Sequence, residues 1–290
     1  MISKRIVFLV LPAVLLASCS GATADSSAEA GRVNNFEIKL VEKTVNASYR
    51  CVGDTTFGSD IALYTRAKAS LQWPEALGNA DIKCLQDSLL ARCFGSIDAP
   101  LTVDEAMLDY VSDPVTMDDD SSLEAVDSIP ATDNYDVRTL EKSINLRAVV
   151  VGSDVAVFKV DWYMYGGGAH PIYASSFVNF DVERGRVVGL YDIVKPGNDE
   201  RLSQVVRNVL CEQYGVDDAA QLQDRYGISA DAIDFGEHVP EFYVNEQYVT
   251  FYFNPYEIGP WATGAIEVPV PAFVLDDMLT AEAKTLLGWQ

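Results

Sequence analysis

His170 and Glu257 are the residues of this sequence best suited to acid–base chemistry. His170 follows the glycines at 166–168, which let a backbone approach a ligand closely, and histidine titrates near neutral pH. We favour a structural role, in which the glycines bend the chain and His170 caps backbone groups. His238 has no partner at metal-ligand spacing, and no hydrolase motif occurs. The residues therefore favour a non-catalytic protein over an enzyme, and predict no metal or cofactor.

Aromatic residues suggest binding surfaces. On strands, Tyr163 and Tyr165 would share one face, as would Tyr248 and Tyr252, and tyrosine rings suit sugars and protein interfaces. An ordinary half-buried sheet face explains the same pattern and is the favoured alternative. The loop between the last two strands adds further rings. The candidate binding residues are Tyr163, Tyr165, His170, Tyr248, Tyr252, Tyr256 and Trp261.

The N-terminus predicts export and lipidation. Lys4 and Arg5 precede an apolar run at 6–16 that is too short to span a membrane, and Leu-Ala-Ser-Cys at 16–19 resembles the bacterial lipobox. We expect residues 1–18 to be a signal peptide and Cys19 to carry lipid. Ser20 points to the outer membrane, on its periplasmic or surface face. Residues 19–35 have the composition of a flexible tether.

The chain has a formal net charge of −22, which removal of Lys4 and Arg5 lowers to −24. So acidic a surface repels nucleic acids and attracts cationic partners. Cysteines Cys51, Cys84, Cys93 and Cys211 remain after lipidation of Cys19, and an even number in an oxidising compartment predicts disulfides. A Cys84–Cys93 pair is excluded if both lie on one helix, where they would be about 13 Å apart.

Hydrophobic periodicity predicts an α+β fold, with a mixed, mostly antiparallel sheet packed by a few helices. We expect an N-terminal lobe at 36–140 and a C-terminal lobe at 141–290. Pro74 is expected to end the second strand, and the acidic segment 113–136 to be a solvated loop. Helices are predicted at 79–94, 103–110 and 201–214. Strands are predicted at 36–43, 67–73, 146–151, 155–165, 174–181, 186–190, 241–244, 247–253 and 265–270.

Three stretches of the second lobe resemble the domain-of-unknown-function 3298 family. These are Tyr-Gly-Gly-Gly-Ala-His-Pro at 165–171, followed by Val-Asn-Phe-Asp at 178–181, and Phe-Tyr-Phe-Asn-Pro-Tyr-Glu-Ile-Gly-Pro at 251–260. Such domains occur in the extracellular part of the lysozyme-sensing anti-sigma factor RsiV and beside peptidoglycan deacetylases. The first lobe, with Trp73-Pro74 before a helix, resembles the 4163-type partner domain. The resemblance spans roughly residues 36–275.

The resemblance implies a fold and action at cell walls, and its motifs carry no established chemistry. Anti-sigma activity is not implied, since no transmembrane helix or sigma-binding segment is evident. We expect a non-catalytic envelope module that binds lysozyme or peptidoglycan. The alternative is a glycan-processing enzyme, deacetylase or hydrolase-like, that uses His170 and Glu257. A purely structural role in envelope assembly stays open.

Overall fold

Two β-sheets of different size organise the chain. The structure, a computed structural model, describes residues 3–8, 38–95, 101–118, 122–130, 137–150 and 154–289. The strands are β1 Ser3–Phe8, β2 Ile38–Val52, β3 Ala62–Leu77, β4 Ser122–Ala125, β5 Val137–Val150, β6 Val155–Tyr165, β7 Ile172–Asp181, β8 Arg186–Val188, β9 Glu241–Val244, β10 Tyr248–Phe253 and β11 Ile266–Pro271. The helices are α1 Lys83–Phe94, α2 Val103–Ser112, α3 Leu190–Ile193, α4 Asp199–Tyr214, α5 Ala219–Tyr226 and α6 Ala281–Leu286.

The larger sheet has the strand order β1-β2-β3-β5-β6-β7-β8, and β4 pairs with the C-terminal part of β2. Its pairs are antiparallel except for β3 with β5, which run parallel. A parallel pair needs a crossover connection. Helices α1 and α2 lie in that connection, which explains how they come to cover one face of the sheet.

The middle of the larger sheet is buried on both faces. In β6, Ala156 and Phe158 face the hydrophobic cluster that contains α1 and α2. Val155 and Val157 face the opposite cluster, which contains the smaller sheet and α4. Successive side chains of a strand alternate between its faces, so two cores need apolar residues at consecutive positions.

The smaller sheet has the order β11-β10-β9 and is antiparallel. Its side toward the larger sheet carries Tyr252, whose ring meets Phe177 of β7 edge-on with centroids 5.2 Å apart. Its other side carries Phe251, which meets Phe235 at 4.9 Å. The smaller sheet therefore lies between the larger sheet and the helical layer that includes α4.

The α+β class with a mostly antiparallel sheet and few helices is confirmed. The helix predicted at 201–214 is α4, which begins at Asp199, and the strand predicted at 155–165 is β6. Strand β5 crosses the lobe boundary expected at 140, and one sheet joins strands from both sides of that boundary.

Two local predictions are wrong. Strand β3 continues past Pro74 to Leu77, because Pro74 lies where the pairing of β2 with β3 is irregular and beyond the end of the β3–β5 ladder. The acidic segment 113–136 is not entirely loop, since β4 adds to the edge of β2 at Tyr49–Val52. The four residues of β4 are exposed, which makes a short polar strand compatible with an acidic composition.

The disulfides predicted from the sequence are not formed between these cysteines in the structure. Cys51, Cys84, Cys93 and Cys211 are all free thiols. The three buried ones belong to three different hydrophobic clusters, so each packs as a small apolar side chain away from the others. Burial raises the pKa of the Cys93 thiol to about 12, which keeps it protonated and unreactive at neutral pH.

The N-terminal segment is described only at 3–8, where β1 pairs with Lys39–Thr44 of β2. Cys19 and the tether predicted at 19–35 lie outside the described residues. Cleavage after residue 18 would remove β1 and leave that part of β2 as an edge. No helix in the described residues is long and apolar enough to cross a membrane.

Candidate functional site

The hairpin between β6 and β7 forms the first part of the candidate site. Gly167 has a φ of 80°, and a Cβ atom there would lie 2.6 Å from the ring of Phe57. Glycine is therefore required both by the backbone angle and by the close approach of that ring. The Tyr165 hydroxyl donates to the Gly168 carbonyl at 3.2 Å and holds the loop against the strand. This turn delivers His170 to the start of β7.

Both ring nitrogens of His170 have protein partners. Nδ1 lies 2.9 Å from the Pro171 carbonyl oxygen, and Nε2 lies 3.2 Å from the Tyr256 hydroxyl. A neutral ring protonated on Nδ1 satisfies both contacts, since Nδ1 then donates and Nε2 accepts. The imidazole also stacks on the Trp261 indole, with centroids 4.3 Å apart and planes 21° apart. His170 is thus fixed in orientation by contacts on its edges and one face.

The loop between β10 and β11 forms the second part of the site. Trp261 donates its indole N–H to the same Pro171 carbonyl at 3.0 Å, and Tyr173 meets the indole edge-on at 6.2 Å. Tyr256 is 64% exposed and has a φ of 75°, the one positive φ at a non-glycine residue of the described chain. We call His170, Tyr173, Tyr256 and Trp261 the aromatic cluster. It combines one strongly exposed ring with three that are partly buried.

Asn254 holds the second loop against the first. Its side-chain oxygen accepts from the Ser175 N–H at 2.6 Å, and its amide donates to the Ser175 carbonyl at 3.1 Å. Strand β8 pairs only with Asn179–Asp181, so Ser175 lies on an uncovered stretch of β7 whose backbone needs other partners. The Asn254 amide fills that need as a further strand would. The loop that carries Tyr256 and Trp261 is therefore tied to the strand that follows His170.

Glu257 serves this connection rather than His170. Its carboxylate accepts from the Asn254 backbone N–H at 2.9 Å and lies 3.4 Å from the Asn254 amide. Among the described residues, no hydrogen bond or ion pair joins Glu257 to His170. The acid–base pair that the sequence left open is not assembled. A group of three or more His, Cys, Asp or Glu side chains suited to a metal is also not found in the described residues.

The other predicted binding residues have separate locations. Tyr163 and Tyr165 do share a face of β6, and Tyr163 pairs directly across the sheet with Tyr173, so both lie beside the aromatic cluster. The prediction for Tyr252 is wrong, because that residue is only 5% exposed and its hydroxyl lies 3.1 Å from the Ser175 hydroxyl. Tyr248 is at the opposite end of β10 and lines a different cavity.

Beneath the aromatic cluster lies a polar network that the sequence did not indicate. Asp161 accepts from Arg147 at 2.9 Å and from the Ser175 hydroxyl at 2.8 Å, and lies 3.0 Å from the Lys159 ammonium. Lys159 in turn sits 5.0 Å from the centre of the Tyr252 ring. Two cations and one hydroxyl group stabilise this partly buried carboxylate between the sheets. The network fixes the strands under the cluster.

Burial raises the pKa of the Tyr163 hydroxyl, and the nearby Glu141 carboxylate adds to the shift. Tyr163 therefore stays neutral over the physiological range and can act as a hydrogen-bond donor. Tyr173, Asn254 and the Pro171 carbonyl were not predicted as site residues. Sequence offered no signal for them, since their partners are 79 to 90 residues away along the chain.

Residues 191–272 match the sequence model of the family described as "Protein of unknown function (DUF3298)". This segment is a DUF3298 domain. It includes the loop with Tyr256, Glu257 and Trp261, whereas His170 and the β6–β7 hairpin precede it. The aromatic cluster therefore joins the DUF3298 domain to the sheet that comes before it. No curated protein is significantly similar to the chain.

Two solved structures show the same fold. A DUF3298 family member from Bacteroides fragilis is 21% identical with a TM-score of 0.64, and the match covers 87% of this chain and 98% of that one. A DUF3298 family protein from Pseudomonas aeruginosa is 13% identical with a TM-score of 0.54, covering 84% and 96%. Identities this low establish the fold alone. The relationship to RsiV and to the 4163-type partner domain stays a prediction from the sequence.

Proposed function

We propose that this protein is a lipid-anchored, non-catalytic binding module of the cell envelope, whose partner is a basic protein of the lysozyme type. The observation that carries the proposal is the aromatic cluster, in which Tyr256 and Trp261 are presented on a rigid base. Aromatic side chains dominate binding hot spots, because they offer large contact areas at a small entropy cost. Tyr256 is 64% exposed, so it is accessible to a partner even though its hydroxyl contacts His170.

The charge of the chain supports a basic partner. The formal net charge of −22 attracts cationic proteins. Salt screens this attraction beyond the Debye length of about 8 Å, so the charge steers a partner mainly at close approach. Glu257, beside Tyr256, adds an exposed acid at the cluster itself. The lipobox-like sequence ending at Cys19 and the resemblance to RsiV support an envelope location. A module in the envelope would be in contact with secreted basic proteins.

Peptidoglycan is the second candidate ligand, favoured by the Trp261 ring, which could stack on a sugar. The glycan-processing alternative gains no supporting observation, because His170 and Glu257 are engaged separately in the described structure. We therefore propose binding without catalysis.

Calorimetric titration of the full-length protein with a basic lysozyme tests the proposal. We expect micromolar binding that persists when the salt concentration is raised, and no binding of an equally basic unrelated protein. Tyr256→Ala and Trp261→Ala should each weaken binding by about tenfold, the loss expected for a hot-spot ring. Tyr191→Ala removes a similarly exposed tyrosine away from the cluster and is the matched control.

Equal binding of the control protein, or loss of all binding at the higher salt, would mean charge attraction without a specific site. If lysozyme does not bind and peptidoglycan fragments bind with the same dependence on Trp261, the glycan version of the proposal replaces the protein version. Circular dichroism of each variant separates loss of binding from loss of folding.

A further inference from the structure

A second aromatic site lies at the other end of the smaller sheet. A cavity of about 620 Å³ is bounded by Tyr248, Phe273, Trp289, Gln247, Asp276 and Leu279. Its volume is within the range of about 300–1,000 Å³ typical of small-molecule sites. Tyr248 begins β10, whereas the aromatic cluster follows the end of this strand, so the length of β10 separates the two sites.

Hydrogen bonds to backbone carbonyls hold the walls of this cavity. The Ala272 N–H donates to the Gln247 carbonyl at 2.9 Å, next to the pairing of Tyr248 with Pro271. The Trp289 indole N–H donates to the Glu246 carbonyl at 2.6 Å. With its one donor used, Trp289 offers a ligand only its ring. Leu279 is buried and forms part of the floor.

Phe273 is the feature that folding does not explain. Its side chain is 81% exposed, the largest exposure among the large apolar side chains of the described residues. Exposing an apolar ring of this size forgoes about 1.5–3 kcal/mol of burial energy. Two further aromatic residues share the cavity with it. Contact with a ligand would explain why an aromatic residue is exposed at this position.

We propose that the cavity binds a small organic cation of the quaternary or alkylated ammonium class. Three aromatic rings attract such a cation through their electron-rich faces, and an acidic group adds to the attraction. Asp276 provides that group: Lys284 contacts its Oδ1 atom, and among the described residues its Oδ2 atom has no partner. The net charge of −22 disfavours anionic ligands at the same place.

A pair of ligands with equal shape and different charge gives the decisive test. Choline carries a trimethylammonium group, and 3,3-dimethylbutan-1-ol replaces its nitrogen by carbon. We expect calorimetry with the full-length protein to show saturable choline binding, and binding of the neutral alcohol about tenfold weaker or absent. Phe273→Ala should weaken choline binding by about tenfold, since an exposed ring can be removed without unfolding the chain. Tyr191→Ala removes an exposed tyrosine that does not line the cavity; it is the control and should leave the affinity unchanged.

Several outcomes would overturn the proposal. Equal affinity for choline and the alcohol would show a merely apolar pocket. Binding of N-acetylglucosamine in place of choline would assign the rings to a sugar. Phosphocholine carries the same cation with a phosphate, and tighter binding of phosphocholine would point to a lipid headgroup instead of a free cation. Choline binding that Phe273→Ala does not affect would place the ligand elsewhere.

Discussion

Tyr256 combines the most unusual backbone angle of the described chain with an exposed side chain. A positive φ is disfavoured for residues that carry a Cβ atom, and such strain persists only where the surrounding structure enforces it. Here a hydrogen bond from the Tyr256 N–H to the Gly259 carbonyl at 3.1 Å closes the turn. The turn directs the hydroxyl to His170, so the strained residue adds one more link between the two loops of the aromatic cluster.

Replacement of Gly167 by alanine should destabilise the protein. Gly167→Ala should lower the free energy of unfolding by about 1–2 kcal/mol from the left-handed backbone alone, with a further loss because the new methyl group meets Phe57. The measurement is urea denaturation followed by circular dichroism.

Gly168→Ala is the matched control for Gly167→Ala. Gly168 is the next residue, its φ is not positive, and nothing lies within 4 Å of the position of a Cβ atom. We expect this variant to unfold like the wild-type protein. An equal loss of stability in both variants would mean that the loop, rather than the single position, is sensitive.

At the scale of elements, local patterns were sufficient where an element depends on its own sequence. Strand β6 and helix α4 were predictable because their apolar residues recur at the periods of a strand and of a helix. The start of α1 was predicted at Asn79, but Gly78 and Asn79 form a turn and the helix begins at Lys83. Helix α5 was missed despite a capping Asp218 and a terminal Gly227, because its apolar stripe is short.

Contacts between distant elements were beyond prediction. His170 and Tyr256 were each selected as aromatic or titratable residues in loops, but nothing in one sequence indicates that residues 86 positions apart touch. The Asn254 amide satisfies the Ser175 backbone only because β8 stops short of that position. Whether a residue of β7 has a neighbouring strand depends on the assembled sheet, and a local sequence pattern does not predict it.

Arg186 connects three elements and leads to a pH prediction. It contacts Asp192 of α3 at 2.7 Å and Glu282 of α6 at 2.9 Å, while the Gly189 N–H donates to Asp192 at 2.8 Å. Burial raises the pKa of Asp192, but the hydrogen bonds from Arg186 and Gly189 together lower it by more. The pKa of Asp192 therefore lies below its ordinary value. A lowered folded-state pKa stabilises the protein above the unfolded pKa, and this contribution is lost as the pH falls through the folded pKa.

Asp192→Asn should therefore be less stable than the wild-type protein at pH 7, and the difference should shrink below about pH 4. Urea denaturation at a series of pH values measures it. Asp224→Asn removes one negative charge from an exposed position on α5 and controls for the change in net charge. A difference that is the same at pH 3 and pH 7 would show that Asp192 acts through packing rather than through its charge.

At the scale of the whole molecule, the two aromatic sites lie at opposite ends of β10 in the smaller sheet. Strand pairing with β9 and β11 on both sides makes β10 the best-supported element of that sheet. Sites at the ends of a rigid strand are held at a constant separation. One partner at the aromatic cluster and one small cation at the cavity of Phe273 could then bind together without competing.

The last prediction concerns the anchor that would place both sites at a membrane. If residues 1–18 are a lipoprotein signal, the mature protein in a bacterial host begins at Cys19 and remains with the membrane fraction, because the attached acyl chains partition into the bilayer. Mass spectrometry of the N-terminal peptide should show a lipidated Cys19. In Cys19→Ala the thiol that accepts the lipid is gone, so this peptide should carry no lipid. A wild-type protein that leaves the membrane fraction with an unmodified Cys19 would remove the anchor from the proposed function, while the binding experiments on both sites would keep their meaning.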